Sequence, residues 1–353
     1  MTTTCLVTGA SGFMGRHLLA SLTAHDHTVL ALLRSPDRLP ALRAEVDALG
    51  GCGDRLHALA GNLASPGLGL NGADRRQAAQ AAVAFHLGAQ FAWRLPVSRA
   101  RTVNVEGTRQ VAELAAASGS RLLMVGGFML RNPMHLRRLG IDLERPSRTD
   151  WPAVYRRSGG YEGSKLEAHF MVTRRMRELS GALTCIHPAT LCGHSRTGHI
   201  LPTQPLAGLI DNLARGRLRA IPGTPAHWLP LVCVDFLTEL TRLAAFDPAM
   251  KGGELLVLDD ATPSLAGLVH RLAQALALEP PHRHLPLGLL RALLRVPGTA
   301  QLLRTEPESL HFIQTHRFDT TATRAFAARH GVPWPDIGAA LEATARFAGS
   351  AGR

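Results

Sequence analysis

The chain has 353 residues, of which 46% are hydrophobic and 19% are charged. That composition excludes a disordered chain and leaves enough apolar material for one large domain or two smaller ones. The formal charge is +12, but the arginines are scattered and aromatic residues make up only 5%, so we do not expect a nucleic-acid-binding protein. The first residues carry no leader pattern and no run of 18 apolar residues occurs, which predicts a soluble, cytoplasmic chain without an integral membrane segment.

The cysteine and histidine patterns give no reason to expect a metal site or a disulfide framework. The five cysteines are odd in number and lie far apart, and no C-x-x-C pair occurs. Among the 17 histidines, His194 and His199 with His187 before them form one cluster in sequence, but no carboxylate completes a ligand set. We therefore expect buried, reduced cysteines and no bound metal.

Short apolar runs alternate with helical patterns through the first half of the chain. Six runs are typical of strands, at 4–8, 28–33, 56–60, 82–87, 121–125 and 183–187. Helical periodicity lies between most of them, as at 13–22, 103–117 and 162–179. Continuous apolar strands that alternate with helices predict an α/β fold of Rossmann type, a doubly wound parallel sheet whose ligand crevice lies beyond the carboxyl ends of its strands.

The pattern changes near residue 190, where turns become frequent and the strands shorter. We predict a Rossmann domain over 1–190 and a smaller, mostly helical substrate-binding region over 191–353. Within 229–258, the segments 229–235 and 253–258 are expected to return to the core of the first domain.

One apolar segment of the C-terminal region, 287–296, is punctuated by arginines four residues apart, Arg291 and Arg295, which would share a helix face. Packing within its own domain is the favoured interpretation. A membrane surface or a second subunit, and hence a homodimer, is the alternative.

A glycine-rich turn follows the first predicted strand. Gly9, Gly12 and Gly15 have the spacing G-x-x-G-x-x-G, and an amphipathic helix begins at the turn. Such a turn lets backbone N–H groups and the positive end of the helix approach a pyrophosphate without side chains in between. The turn predicts a dinucleotide site that also includes Ser11, Phe13 and Met14.

The end of the second predicted strand bears on the choice of nucleotide. Arg34 and Ser35 stand there, and no acid occupies positions 30–36 to bind a ribose 2′-hydroxyl. A guanidinium would instead pair with a 2′-phosphate, so we favour NADP(H) over NAD, with a solvated surface arginine as the alternative. The ends of the third and fourth strands supply further candidate cofactor contacts: Asn62, Leu63, Gly88 and Ala89.

The chain has only two tyrosines and two lysines, and one of each forms a pair at helical spacing. Tyr161 precedes Lys165 by four residues, which places both on one face of a helix. A nearby ammonium lowers the pKa of a phenol toward the working range of a proton donor. We therefore predict that Tyr161 and Lys165 are catalytic, against the alternative of a core tyrosine beside a surface lysine.

Several motifs together resemble the extended short-chain dehydrogenase/reductases, across nearly the whole chain. They are T-G-A-S-G-F-M-G, F-H-L-G-A, N-V-E-G-T, Y-x-x-x-K, H-P-A-T-L-C-G and L-V-C-V-D. The resemblance implies an NAD(P)-binding Rossmann domain, catalytic roles for Tyr161 and Lys165, and a structural or proton-relay role for Asn104. It also implies that Pro188 and Leu191 lie near the nicotinamide.

Two stretches, A-G-N-L-A-S-P-G-L-G-L and F-H-L-G-A-Q-F-A-W, are similar to the thioester-reductase and fatty-acyl-reductase branch of that family. That branch usually has Asp where this chain has Asn62.

One position departs from the family pattern. The family places Ser or Thr just past the fifth strand, where its hydroxyl binds the substrate oxygen, but this chain has Gly126 and Gly127. Loss of one such donor typically costs about 10² to 10³ in rate. Ser158 could supply the hydroxyl, a water could fill the space at Gly127, or the protein could bind its cofactor without fast turnover.

These observations predict an enzyme, an NADPH-dependent reductase of a carbonyl on an apolar small molecule. The apolar segment between the fifth strand and Tyr161, with Phe128, Met134 and Trp151, would enclose the substrate together with Trp93, unless these residues are ordinary core. The alternatives are an epimerase or dehydratase that retains its cofactor, and a non-catalytic dinucleotide sensor.

Overall fold

The computed structural model describes residues 2–294, 296, 299 and 307–351. The chain divides into two compact units, one formed by 1–187 and 238–255 and the other by 188–237 and 256–353. The strands are β1 (Thr4–Thr8), β2 (Thr28–Leu33), β3 (Leu56–Ala60), β4 (Val83–His86), β5 (Arg121–Val125), β6 (Leu183–Pro188), β7 (Thr190–Cys192), β8 (Ile221–Pro222), β9 (Leu231–Cys233), β10 (Glu254–Val257) and β11 (His284–Leu285).

Helices connect most of these strands. They are α1 (Phe13–Ala24), α2 (Leu39–Ala48), α3 (Gly72–Ala78), α4 (Val97–Ala100), α5 (Gly107–Ala117), α6 (Pro133–Leu139), α7 (Trp151–Glu178), α8 (Pro205–Ala214), α9 (Val234–Phe246), α10 (Leu265–Ala275), α11 (Leu287–Leu294), α12 (Thr321–Arg329) and α13 (Ile337–Ala351). No helix in the described parts of the chain is both long and apolar enough to cross a membrane.

A seven-stranded sheet with the order β10-β6-β5-β4-β1-β2-β3 forms the centre of the fold. The neighbouring pairs from β3 to β6 are parallel, with registers such as Thr4 opposite Thr28. The strand order reverses at β1 and β4, which is the arrangement of a doubly wound sheet. The predicted α/β Rossmann fold is confirmed, because apolar runs this short can be buried only between two layers of helices.

The core on one face of this sheet lies under α5 and α7. Leu6, Leu30 and Leu122 of the sheet pack with Val111 of α5 and Val172 of α7, and all five are fully or almost fully buried. Burial of each such side chain contributes roughly 1.5 to 3 kcal/mol, so this packing fixes where α7 lies on the sheet.

Helix α7 begins much earlier than its periodicity predicts. The sequence pattern indicated 162–179, whereas the helix starts at Trp151, where the Asp150 side chain caps it by accepting from the Ala153 N–H at 3.2 Å. Gly159, with φ 80° and ψ 175°, interrupts it in a conformation that is accessible essentially to glycine alone. Tyr161 therefore lies in the first turn after this break.

The segment between β5 and Tyr161 is ordinary core for the most part. Leu136, Leu139, Ile141, Val154 and Leu166 form a buried cluster, against which Trp151 packs. Phe128 is also buried, whereas the side chain of Met134 is 58% exposed. The burial of this segment therefore favours the interpretation that its apolar residues are ordinary core, over the one in which they enclose the substrate.

The second unit has its own small sheets. Strands β7 and β9 pair in parallel, and β8 pairs with β11. The segment 229–235, expected to return to the first core, instead contributes β9 to this pair, whereas β10 joins the edge of the seven-stranded sheet. In α11, Leu290 and Leu294 pack on Leu310 while Leu289 and Leu293 are exposed. Arg295 lies outside the described residues.

Candidate active site

The glycine-rich turn brings the end of β1 and the start of α1 into close contact. Gly9 has φ 73°, and a Cβ there would lie 2.6 Å from the backbone nitrogen of Gly88. A Cβ on Gly15 would lie 2.2 Å from the Gly9 carbonyl oxygen, so the turn accepts glycine only at both positions. Ser11 and Gly12 are exposed at its tip, and Phe13 and Met14 are buried behind it.

The first turn of α1 contains no acidic residue of its own, and Glu45 of α2 pairs with Arg16 in that turn at 3.1 Å. Gly12 caps the helix without a side-chain hydrogen bond. The free N–H groups and the positive end of the helix dipole therefore face outward. These features fit the pyrophosphate of a dinucleotide.

The residues predicted to hold the nucleotide follow β2, β3 and β4. Arg34 and Ser35 are exposed beyond the end of β2. Asn62 shapes the turn after β3, since its Oδ1 accepts from the Ala64 N–H at 3.0 Å. Leu63 packs so closely against Gly88 that a Cβ on that glycine would lie 2.7 Å from Leu63 Cδ1. Ala89, next to Gly88, is half-buried.

A buried chain of hydrogen bonds links these strand ends. The Thr8 hydroxyl lies 2.7 Å from His86 Nδ1, and His86 Nε2 lies 2.8 Å from the Thr108 hydroxyl. The Thr108 hydroxyl donates to the Asn104 carbonyl oxygen at 2.6 Å, so it must accept from His86 Nε2–H. His86 Nδ1 then accepts from Thr8, whose oxygen accepts from the Gly88 N–H. Burial lowers the pKa of His86 to about 3, which keeps the ring neutral, as this chain requires.

Asn104 carries this network to α7. Its Nδ2 donates to the Ser164 hydroxyl at 2.9 Å, and that hydroxyl donates to the Tyr161 carbonyl oxygen at 2.8 Å. Its Oδ1 accepts from the Gln90 N–H at 2.7 Å. Asn104 is thus a positioning residue that ties the loop after β4 to the turn of α7 containing Tyr161. Asn104 is almost completely buried, so the loss of any one of these hydrogen bonds would strongly destabilise the protein.

Lys165 lies one turn after Tyr161 and reaches the end of β5. Its ammonium donates to the Val125 carbonyl oxygen at 2.5 Å. Burial lowers the pKa of Lys165 to about 8, and burial with the Glu162 charge raises the pKa of Tyr161 to about 12. At pH 7 the pair is therefore a neutral phenol beside a largely protonated amine.

An aromatic pair of the loop after β4 lies beside Tyr161, and one of its two rings contacts the phenol ring. The Phe91 ring meets the Tyr161 ring edge to face at 4.7 Å, and Trp93 meets Phe91 in the same way at 4.8 Å. Phe91 is 40% exposed, so part of this aromatic surface faces outward beside the phenol. The sequence pattern predicted a role for Trp93 but not for Phe91, although F-A-W begins four residues after the predicted strand 82–87.

Ser158 and the other tyrosine, Tyr155, pack on a different face of α7. A Cβ on Gly163 would lie 2.6 Å from the Tyr155 ring and 3.0 Å from Ser158 Oγ. Gly163 follows Tyr161 by two residues, which places it on roughly the opposite side of the helix. The Ser158 hydroxyl donates to the Val154 carbonyl oxygen at 2.9 Å. Geometry thus separates Ser158 from the Tyr161 face.

The two glycines after β5 differ in the space around them. A Cβ on Gly126 would lie 2.5 Å from His187 Nδ1, whereas one on Gly127 would meet nothing within 4 Å. Gly127 has φ −172° and ψ 152°, extended backbone that any residue adopts. The missing hydroxyl of Gly127 therefore leaves open space. Pro188 ends β6 and Leu191 lies in β7, and both fall in the second compact unit.

Comparison with known proteins identifies the family to which this chain belongs. A family model described as male sterility protein matches residues 7–241, well over half of the chain. The chain belongs to this family, in the reductase branch of the extended short-chain dehydrogenase/reductases. The resemblance inferred from the motifs is confirmed.

Curated relatives of this family member include parts of large synthetases. It is 30% identical over 262 residues to the non-canonical nonribosomal peptide synthetase FrzA of Cladobotryum sp., covering 70% of this chain and 25% of that protein. It is 28% identical over 324 residues to the aldehyde reductase lnaA of Aspergillus flavus, covering 84% of this chain and 27% of that protein. The chain thus spans about a quarter of the length of these relatives.

A solved structure with the same fold is the terminal R domain from the myxalamid PKS-NRPS biosynthetic pathway. It superposes with a TM-score of 0.76 at 22% identity, covering 97% of this chain and 89% of that one. At this identity the likeness concerns the fold.

Proposed function

We propose that this chain is an NADPH-dependent reductase that acts on the carbonyl of an aldehyde, ketone or acyl thioester carried by an apolar molecule. The observation that carries the proposal is the placement of Tyr161 and Lys165 one helical turn apart, with the lysine bonded to the end of β5. The bound cofactor would supply hydride to the carbonyl carbon. The residues of this chain bind it, orient the substrate and provide the proton.

Tyr161 is the proposed proton donor to the carbonyl oxygen. Its pKa of about 12 keeps the phenol protonated at pH 7, so the proton is present to be given. A phenol this weakly acidic needs a neighbouring positive charge that stabilises the phenolate as the proton leaves. Lys165, with a pKa of about 8, supplies that charge below pH 8.

In the first compact unit, the proposed cofactor residues fall into two groups. Gly9, Gly12 and Gly15 with Ser11, Phe13 and Met14 would hold the pyrophosphate at the N-terminus of α1. Asn62, Leu63, Gly88, Ala89 and Asn104 would line the rest of the dinucleotide.

NADP is the proposed form of the cofactor because of Arg34. This side chain is exposed beyond β2, and it makes no ion pair with any residue in the described part of the chain. A 2′-phosphate offers a guanidinium the charge and geometry that a 2′-hydroxyl does not.

A water at Gly127 is the proposed substitute for the family's serine or threonine hydroxyl. The geometry of Ser158 disfavours Ser158 as the substitute, because its hydroxyl is bonded to the Val154 carbonyl oxygen on the other side of α7. The open space at Gly127 supports a bound water as the substitute, since a water there can donate to the developing oxyanion.

An apolar substrate is proposed because the Phe91 ring packs against the Tyr161 ring and the Trp93 ring packs against Phe91. Acyl thioesters and aldehydes are the favoured classes, since the similar proteins include an aldehyde reductase and nonribosomal peptide synthetases. Both classes present the same electrophilic carbonyl carbon to hydride.

The test measures NADPH oxidation by the purified chain with a medium-chain acyl-coenzyme A, the corresponding aldehyde and the corresponding methyl ketone. We expect turnover with at least one of the three, and a loss of about 10² to 10⁴ in kcat for Tyr161→Phe. Turnover that survives this substitution would remove Tyr161 from the mechanism. Absence of turnover with all three, at saturating NADPH, would contradict the reductase proposal.

A further inference from the structure

A second group of chemically active side chains lies in the first compact unit, and none of them has been given a role in catalysis or cofactor binding above. His169 is on α7, His187 is in β6 and Glu254 begins β10. One ring nitrogen of each histidine and one carboxylate oxygen of Glu254 all lie within 4.8 Å of one another. The three residues are far apart in sequence, so no local motif predicts them as metal ligands.

The two imidazoles are buried with unused polar atoms. His187 is 0% exposed and His169 is 8% exposed. Nδ1 of each ring is buried and has no hydrogen-bond partner among the described residues. An imidazole nitrogen that carries no proton has a lone pair for a ligand. Unsatisfied buried nitrogens are costly unless something binds them.

Glu254 completes the group and connects it to solvent. Its Oε2 lies 3.3 Å from His187 Nε2, and its side chain is 34% exposed. Arg131 also pairs with this oxygen at 3.0 Å, but the Arg131 side chain is 50% exposed and can turn into water. A cation arriving from solvent would therefore compete with one arginine for one carboxylate.

We propose that His169, His187 and Glu254 form a site for a divalent transition-metal ion of the zinc class, which goes beyond the proposed reductase function. Two imidazoles and one carboxylate are a ligand set that zinc accepts, with water in the fourth position. Nitrogen ligands disfavour magnesium and calcium, which bind through oxygen. The three ligands come from two strands of the sheet, β6 and β10, and from the helix α7 that covers it. The fold therefore holds them in place.

The direct test is equilibrium dialysis and calorimetric titration of the EDTA-stripped full chain with zinc chloride, repeated with cobalt chloride followed by visible absorption. The chain has 17 histidines, and those outside the site can also bind zinc. The measured quantity is therefore the one zinc ion per chain whose binding is lost in the variants of the ligands. We expect His169→Gln and Glu254→Gln each to weaken zinc binding at least about tenfold and to abolish the cobalt bands. Arg131→Gln is expected to tighten binding, because it removes the competing charge.

His57→Gln is the matched control, since His57 is an exposed histidine on β3 of the same unit. Thermal unfolding of each stripped variant shows whether the fold is kept, and Glu254→Gln preserves shape at a partly exposed position. Zinc binding equal in the wild-type chain, His169→Gln and Glu254→Gln would overturn the site. Failure of stripped wild-type protein to bind either metal would do the same, whatever the outcome of the reductase assays.

Discussion

The ammonium of Lys165 donates to the backbone carbonyl oxygen of Val125 at 2.5 Å, which joins α7 to the last residue of β5. The bond places a positive charge directly before the two glycines that replace the expected hydroxyl. Burial of the amine away from water lowers the Lys165 pKa to about 8. The charge that we propose assists Tyr161 is therefore sensitive to pH in the mildly alkaline range.

The pH dependence of reduction follows from this pKa. Because the folded-state pKa of Lys165 lies at about 8, the ammonium is present below pH 8 and is lost as the pH rises through it. We expect kcat/KM to fall about tenfold per pH unit above that point. Tyr161, with a pKa near 12, contributes no limb in this range. Initial rates from pH 6 to 10 would measure the profile.

Lys165→Arg is the variant that tests the assignment, because a guanidinium stays charged throughout this pH range. Its residual activity should show no alkaline limb near pH 8. An unchanged limb in this variant would mean that another group titrates.

The two tyrosines should respond oppositely to loss of the hydroxyl. Tyr155 donates to Glu167 Oε2 at 2.5 Å, and both side chains are buried. Tyr155→Phe leaves that carboxylate oxygen without its donor, so we expect the free energy of unfolding to fall by about 1 to 3 kcal/mol with kcat little changed. Tyr161→Phe should leave the stability intact and lose the activity. Urea unfolding and steady-state rates on both variants make the comparison, and equal loss of activity in the two would contradict it.

Gly127→Ser should increase the rate by restoring the hydroxyl that the family places after the fifth strand. The extended backbone and open space at Gly127 accept a side chain without strain. If the serine hydroxyl reaches the oxyanion, kcat should rise, by at most about 10² to 10³. Steady-state kinetics with the best substrate would measure it.

Gly126→Ser is the contrasting variant, since its Cβ would lie 2.5 Å from the buried His187 ring. This substitution is expected to destabilise the protein without a gain in rate. A lower kcat in Gly127→Ser, with unchanged stability, would indicate that the space there is needed for substrate.

Arg34→Ala should weaken NADP binding by about tenfold while leaving NAD binding unchanged, because only NADP carries the 2′-phosphate. Calorimetric titration of both cofactors into each protein measures the difference. Arg138→Ala, an exposed arginine on α6, controls for the loss of one positive charge. Tighter binding of NAD than of NADP by the wild-type chain would refute the assigned role of Arg34.

Sequence patterns predicted those parts of the fold and site that depend on neighbours along the chain. The strands β1, β2, β3 and β5 begin and end at the predicted residues, since an uninterrupted apolar run needs burial on both faces. The glycine-rich turn and the spacing of Tyr161 and Lys165 are equally local. Helix α7 was one of the exceptions, because its periodicity gave no sign of the eleven residues added before 162 by a capped start and a glycine break.

Hydrogen bonds between distant residues could not be found in the same way. Thr8 meets His86 across 78 positions, and Asn104 meets Ser164 across 60. The grouping of His169, His187 and Glu254 has the same origin. The parallel sheet brings the ends of separate strands together, and no local pattern encodes which side chains then face one another.

The sequence by itself therefore determined a dinucleotide-binding parallel α/β fold, the Tyr161–Lys165 pair and the absence of a hydroxyl at Gly127, since these depend on residue type and short spacing. Only the tertiary structure decided that Ser158 packs away from Tyr161, that Gly127 faces open space whereas Gly126 does not, and that a neutral His86 connects the glycine-rich turn to Asn104. The physical reason is that directed hydrogen bonds and close packing depend on where the sheet places residues far apart in the chain.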